Sequence, residues 1–161
     1  DHRDLHSFPT RRSSDLLSED LVRSGLETKF VGRTIFIHSS VTSTNAEAKR
    51  IAPSAEDGTV VISEVQTAGR GRMERPWLSP RGGLWMSIIL KPKIPPALAF
   101  SVNIAASVAA ARALEGLYGL KVRIKWPNDL LVGERKICGI LTEIGAEMDL
   151  LEYAVDRKSV V

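Results

Sequence analysis

The sequence predicts an α+β domain, an α/β mixture whose mixed, largely antiparallel sheet is covered by helices. Three observations carry that expectation. Short β-branched and apolar segments recur along the chain, separated by brief Gly, Pro, Asn and Asp turns, as neighbouring antiparallel strands require. One stretch, residues 97–118, keeps a helical period for several turns through Phe100, Ile104, Val108 and Ala111, with Leu114 and Leu117 continuing nearby. The length of 161 residues matches one domain able to bury a core without disulfides.

The elements follow in order. Residues 1–16 (DHRDLHSFPTRRSSDL) have neither helical nor strand periodicity and resemble translated adapter sequence, as does 156–161 (DRKSVV). Both ends are expected to be foreign to the fold, which leaves residues 17–155 as the domain. Residues 17–24 predict a short helix closed by Gly25, and 34–38 (TIFIH) a strand. Thr44 and Glu47 have capping-box spacing, so a helix is expected over 46–52, before Pro53. Asp57-Gly58 is a turn, and 59–64 (TVVISE) a strand. Residues 66–83 form a Gly/Arg/Pro loop too long for a mere connector. A strand over 84–90 stops before Pro92, Pro95 and Pro96, and the main helix follows. Strand 122–126 ends at Pro127-Asn128-Asp129. Residues 130–132 and 136–144 read as a hairpin about Gly133-Glu134, and 150–155 begin one more strand.

Composition excludes several classes. Hydrophobic residues at 43% and charged residues at 25% rule out a disordered or fibrous chain. A net charge of +3, with basic residues scattered outside one loop, is too little for a nucleic-acid arm. The single cysteine, Cys138, excludes a disulfide framework and a Cys-built zinc site. No signal-like N-terminus is visible, and the longest apolar run, 97–111, is too short and too interrupted to span a bilayer. A soluble, cytoplasmic domain is expected. No P-loop or Gly-x-Gly-x-x-Gly is present. His38 alone in the central segment cannot build a Ser-His-Asp triad or a His-rich metal site, so no metal ligands are assigned.

What remains is a cation-dominated site. Gln66-Thr67-Ala68-Gly69-Arg70-Gly71-Arg72-Met73-Glu74-Arg75 sets three arginines among glycines. Glycine lets backbone approach a ligand, and arginine forks match carboxylate and phosphate oxygens, although a solvated turn or an RNA contact explains the same composition. Lys125-Trp126-Pro127-Asn128-Asp129 projects Lys, Asn and Asp from a strand end, or is a plain solvated turn. Lys136 opens an apolar strand as an edge charge or as a pocket cation; simple alternation gives it the face of Cys138 and Ile140. Ser43-Thr44-Asn45 is a cap, or a polar ligand site at a helix N-terminus.

In this order, with Trp77-Leu78-Ser79-Pro80 and Gly139-Ile140-Leu141-x-Glu143, the motifs resemble the biotin protein ligase family, from about Gly25 to Val155. The resemblance implies a catalytic domain akin to class II aminoacyl-tRNA synthetases and lipoate ligases. Such enzymes use biotin and ATP, with Mg²⁺, to make biotinyl-5′-AMP, then pass biotin to a lysine of a biotin carboxyl carrier domain. Ser43, Thr44, Asn45 and Gln66 match positions around the ureido head of biotin. Arg70, Gly71 and Arg72 match the loop that closes over the biotin carboxylate and the phosphates. Lys136 matches the lysine meeting the carboxylate and adenylate oxygens, and Trp77 the aromatic packed on adenine. Lys125, Asn128 and Asp129 match the motif beside the nucleotide. Arg70, Arg72, Lys136 and Asp129 form the implied catalytic set, with Asp129 orienting or deprotonating the carrier lysine.

Met73-Glu74-Arg75 departs from the more basic Arg-Gly-Arg of many members, which implies a differently tuned anion field. In the family the chain continues into a Gly-Ile-Gly-Ile-Asn-type strand and a small β-barrel. The resemblance also allows a homodimer, and DNA binding only where a helix-turn-helix domain precedes. A lipoate or octanoate ligase or transferase on the same fold, and a nucleic-acid-binding module using the arginine loop, are the alternatives.

Overall fold

The structure is a computed structural model that describes residues 17–147 and 150–160, with side chains described for 17–145. The foreign-looking residues 1–16 lie outside the described residues. Helix α1 (Glu19–Ser24) starts where Ser18 Oγ accepts from Leu21 N–H and ends at Gly25, as expected. Strand β1 (Ile35–His38), helix α2 (Thr44–Ile51) and strand β2 (Val60–Ser63) form a parallel crossover unit. Strand β3 (Leu84–Leu90) runs antiparallel to β2. A single 3-10 turn, Pro96–Leu98, then leads into helix α3 (Phe100–Tyr118). Strands β4 (Val122–Lys125), β5 (Asp129–Val132), β6 (Arg135–Glu147) and β7 (Leu150–Val160) complete one sheet. Its order is β1-β2-β3-β7-β6-β5-β4, antiparallel except for the first pair, so the expected architecture holds.

The helices take opposite faces. Ala48 on α2 and Ala52 at its C-terminal cap bury against Val61 and Ile89. On α3, Ala106, Ala110, Ala111 and Leu114 form a small-residue stripe on Leu130, Cys138 and Ile140. The segment Pro96–Tyr118 is long and apolar enough, at a mean hydropathy of 1.6, to cross a bilayer by length and composition. That corrects the shorter run read from the sequence, because two serines and an asparagine do not stop the helix. Its alanine stripe packs on the sheet as a core helix does.

Three local expectations are corrected. Helix α2 begins at Thr44 rather than Ala46, and its N-cap is Ser43, without a side-chain cap bond. The Thr44–Glu47 capping box does not form: Thr44 turns inward, and Glu47 pairs with Arg50 instead (2.6 Å). Strand β7 does not stop at 155; it pairs through Val160 with β3 and β6. As a central strand it has ladder groups to satisfy on both edges.

The third correction concerns Lys136. Leu130 pairs with Cys138 but Leu131 with Lys136, so a β-bulge inserts Ile137. The extra residue moves Lys136 off the face of Cys138 and Ile140 and onto that of Gly139. That is the α2 face, where the site lies.

Candidate functional site

Beneath the start of α2, buried polar side chains bond to one another. Gln66 Oε1 accepts from Thr44 N–H (2.9 Å) and lies 3.1 Å from Thr44 Oγ1, while Gln66 Nε2 donates to Ser79 Oγ (2.7 Å). Gln66 thus caps the first orphan N–H of α2 from 22 residues away. Ser87 Oγ on β3 stands 2.8 Å from Thr44 Oγ1 and 2.6 Å from Asn45 Oδ1. Asn45 Nδ2 donates to Glu143 Oε2 (2.6 Å) on β6, whose Oε1 accepts from Lys49 Nζ (3.1 Å). The choice of Thr44 follows from magnitudes. A local cap contributes about 1 kcal/mol. Orphaning buried acceptors and hydroxyls costs about 1–3 kcal/mol each.

The arginine loop folds back on itself as an irregular hairpin. Gln66 pairs with Ser79 and Arg70 with Pro76, and Trp77 N–H donates to Gly69 O (2.8 Å). Gly69 must be glycine, since a Cβ there would stand 2.6 Å from both Ser79 Oγ and Trp77 O. At the tip, Met73 and Glu74 both hold a left-handed backbone (φ 56°), a conformation costing non-glycine residues about 1–3 kcal/mol each. Arg70 Nη1 pairs with Glu74 Oε2 (2.5 Å), and Arg72 Nη1 lies 3.5 Å from Asn128 Oδ1.

The third part is a cation cluster. Asp129 faces Gly139 across the β5–β6 pair and Lys125 across the β4–β5 pair. Lys136 Nζ lies 2.7 Å from Asp129 Oδ1 and 4.6 Å from the centre of the Trp77 ring. Gly139 leaves the space in which Lys136 lies across the sheet. Trp77 Nε1 is buried without a hydrogen-bond partner among the described residues.

Two hollows open on this face. One, of about 260 Å³, is lined by Ser43, Asn45, Lys49, Arg70, Gly71 and Glu143 among others. The second, of about 530 Å³, is lined by Arg123, Lys125, Asp129, Leu131, Glu134 and Lys136 among others. Ser43, Asn45, Arg70 and Gly71 therefore line one hollow, with Thr44 and Gln66 in the buried layer behind. Lys125, Asp129 and Lys136 meet in the other hollow. The arginines are separated: Arg72 swings to Asn128 beside a third hollow, next to Trp126 and Pro127.

Sequence reasoning missed Ser87 and Lys49 and the roles of Ser79 and Glu143. Period-two alternation from Gly139 puts Glu143 on the site face, and helical spacing puts Lys49 one turn after Asn45. Those signals were present, and only the partner elements were unknown. On α2 itself, the Arg50 hydrogen bond holds the Glu47 carboxyl below its usual range, against a smaller desolvation effect.

A model of the biotin/lipoate A/B protein ligase family matches residues 35–153. The chain belongs to this family. The match takes in both hollows and the whole arginine loop. Curated relatives agree with it. The bifunctional ligase/repressor BirA of Bacillus subtilis is 44% identical over 141 residues, covering 86% of this chain and 43% of the relative. The biotin–[acetyl-CoA-carboxylase] ligase of Paracoccus denitrificans is 39% identical over 103 residues, covering 63% of this chain and 43% of the relative. The chain thus spans less than half the length of either. Among solved structures, the biotin protein ligase of Aquifex aeolicus in complex with biotin and ATP superimposes with a TM-score of 0.65 at 28% identity, over 80% of this chain and 52% of that one. The Leishmania major biotin protein ligase in complex with biotinyl-5-AMP gives 0.68 at 26% identity, over 80% and 57%. The biotin/lipoate ligase fold accounts for the mixed sheet and its two-sided helix cover.

Proposed function

We propose that this chain is the catalytic part of an ATP-dependent ligase that activates biotin as biotinyl-5′-AMP and transfers it to a lysine of a biotin carboxyl carrier domain. The observation that carries the reading is a buried hydrogen-bond network of uncharged side chains, Thr44, Asn45, Gln66 and Ser87, which ends on Glu143 and opens beside Arg70, on the same sheet face as Lys136, Lys125 and Trp77. A neutral urea head and an anionic tail need these two environments side by side. Solved relatives in complex with biotin and ATP, or with biotinyl-5-AMP, support the choice of ligand.

In the first step the biotin carboxylate attacks the α-phosphorus of ATP and pyrophosphate leaves. Both reactants are anions, so the field of Arg70, Arg72, Lys125 and Lys136 lowers their repulsion and stabilises the charge that builds in transfer. Trp77 packs on adenine, and Asn128 and Asp129 flank the nucleotide. In the second step a neutral carrier lysine attacks the mixed anhydride and AMP leaves; Asp129 orients that amine or takes its proton. Mg²⁺ enters with ATP as part of the substrate, held chiefly by phosphate oxygens. Ser43 and Asn45 face the urea head, Thr44 and Gln66 brace them from the buried layer behind, and Gly71 lets the loop backbone approach it.

We infer cytoplasmic placement, and a homodimer formed along a free strand edge. A repressor role arises only where a DNA-binding domain precedes this one. The arginine-loop alternative is weaker, because Arg70 is engaged by Glu74 and Arg72 faces Asn128 instead of forming a cationic strip. Calorimetry with biotin, with lipoate as a competitor and with or without Mg²⁺-ATP, tests the reading. Mass spectrometry of the same mixture reads the adenylate. Saturable biotin binding that lipoate does not displace is expected; preference for lipoate overturns it.

A further inference from the structure

We propose that Glu143 is a positioning residue that sets the hydrogen-bond polarity of the wall receiving the urea-type head of the ligand. This rests on the reading above. Asn45 is 2% exposed, and its amide has two neighbours, Ser87 Oγ and Glu143 Oε2, each at 2.6 Å. A hydroxyl can donate or accept, so Ser87 alone lets the amide sit either way round. An ionised carboxylate can only accept. Glu143 therefore forces Asn45 Nδ2 towards β6 and Oδ1 towards Ser87. The choice propagates. Ser87 has a single proton, which must lie on its bond to Asn45 Oδ1, and the Thr44 hydroxyl proton is then left for Ser87 Oγ or Gln66 Oε1. The other end is fixed independently, because the Thr44 backbone N–H can only donate and so holds Gln66 Oε1. Asn45 and Glu143 both line the 260 Å³ hollow. The pattern of donors and acceptors shown to a ligand there follows from the charge of Glu143.

Glutamine at this position separates positioning from filling space. It has the same size, but one acceptor oxygen in place of two. Lys49 Nζ, 3.1 Å from Oε1, competes for that oxygen, and the amide nitrogen is turned towards Asn45. Asn45 must then flip, and the polarity of the Ser87 and Thr44 hydroxyls reverses with it.

The experiment uses the full chain, with Glu143→Gln, Asn45→Ala and the double variant. Each is followed by thermal unfolding and by biotin calorimetry, with the Asn45 side-chain amide read by ¹⁵N NMR. Glu143→Gln is expected to keep a melting point close to that of the parent while weakening biotin about ten- to one-hundred-fold, the range for hydrogen bonds involving a charged group. In the Asn45→Ala background the same change should cost less than about twofold, because the two act through one bond. Glu143→Gln binding within about twofold of the parent overturns the proposal, as does full additivity in the double variant. If the parent itself does not bind biotin, the proposed function falls and the NMR decides this claim alone. A displaced Asn45 amide signal in Glu143→Gln then supports it, and an unmoved one refutes it.

Discussion

A side chain at Gly139 would collide with Lys136 and with little else. A Cβ there would lie 3.2 Å from Lys136 Cε, 3.3 Å from Nζ and 3.7 Å from Trp77 Cη2. The lysine is a flexible chain about one-third exposed, so it can leave, and the backbone of β6 need not move. Gly139→Ala is therefore expected to displace Lys136 from both Asp129 and Trp77. Two terms set the stability change. Alanine in a strand gains about 0.5–1 kcal/mol over glycine. Against this, Asp129 Oδ1 is buried and loses its ammonium, at a cost of about 1–3 kcal/mol. The net loss is about 0–2.5 kcal/mol, which leaves the chain folded. Ligand binding should suffer more. If Lys136 meets the ligand carboxylate, losing a charge-assisted contact costs about 1.5–3 kcal/mol, or roughly ten- to one-hundred-fold in Kd. The assay is biotin calorimetry on Gly139→Ala, Lys136→Met and the double variant, beside urea unfolding of each. The two single changes should weaken binding alike, and the double variant should add nothing further. A Gly139→Ala protein that binds as the parent does, while Lys136→Met does not, would refute the claim that this glycine exists to seat the lysine.

Other expectations are more local. Leu130 is fully buried against the alanine stripe of α3, so Leu130→Ala should lose about 2–5 kcal/mol in urea unfolding. A loss under about 1 kcal/mol would mean that α3 does not pack on the sheet as described. Arg70 must exchange Glu74 for a ligand anion, and an exposed pair of this kind contributes about 0.2–1 kcal/mol. Glu74→Gln should therefore tighten biotin by up to about fivefold at low salt and by much less at high salt; weaker binding would show that Glu74 organises the loop instead. Glu47 titrates below its ordinary 4.5 because Arg50 bonds to it, so the pair favours the fold above that pH and its contribution is lost as pH falls through the lower folded value. Carboxyl NMR should show the Glu47 midpoint rising in Arg50→Gln; an unmoved midpoint would mean that the pair does not persist in solution.

Several of these features were legible in the sequence because they depend on short-range rules. Strand β3 occupies the interval 84–90 read from its apolar run, since Gly83 and Pro92 bracket it. The β5–β6 hairpin turns at Gly133-Glu134, where the sequence places a two-residue loop. The family resemblance also rested on local strings. What was not legible depends on partners distant in sequence. The expected face of Lys136 was wrong by one residue, because a bulge is decided by how β5 and β6 register and not by either strand alone. The two arginines of Gly69-Arg70-Gly71-Arg72 look equivalent in the string. In the fold, Arg70 turns back to Glu74 and Arg72 reaches Asn128, 56 residues on.

Thr44 shows why such misreadings gather at the site rather than in the core. Its spacing from Glu47 is a sound capping signal, and an exposed helix would use it. Here Gln66, Ser87 and Asn45 converge on the same point from three other positions, and each carries a buried polar group that must be satisfied. One threonine cannot serve both demands fully, and the buried groups outweigh the cap by about a factor of two or more. The cost at the helix end falls further because Gln66 caps the Thr44 N–H from outside the helix. A local rule is thus overridden where polar groups from separate elements are brought together out of water, and a site for a small polar ligand is such a place. Apolar positions obey their periodicity because any apolar neighbour satisfies them. Ser43, Thr44, Asn45, Gln66 and Glu143 need particular partners, and those partners exist only once the sheet has closed.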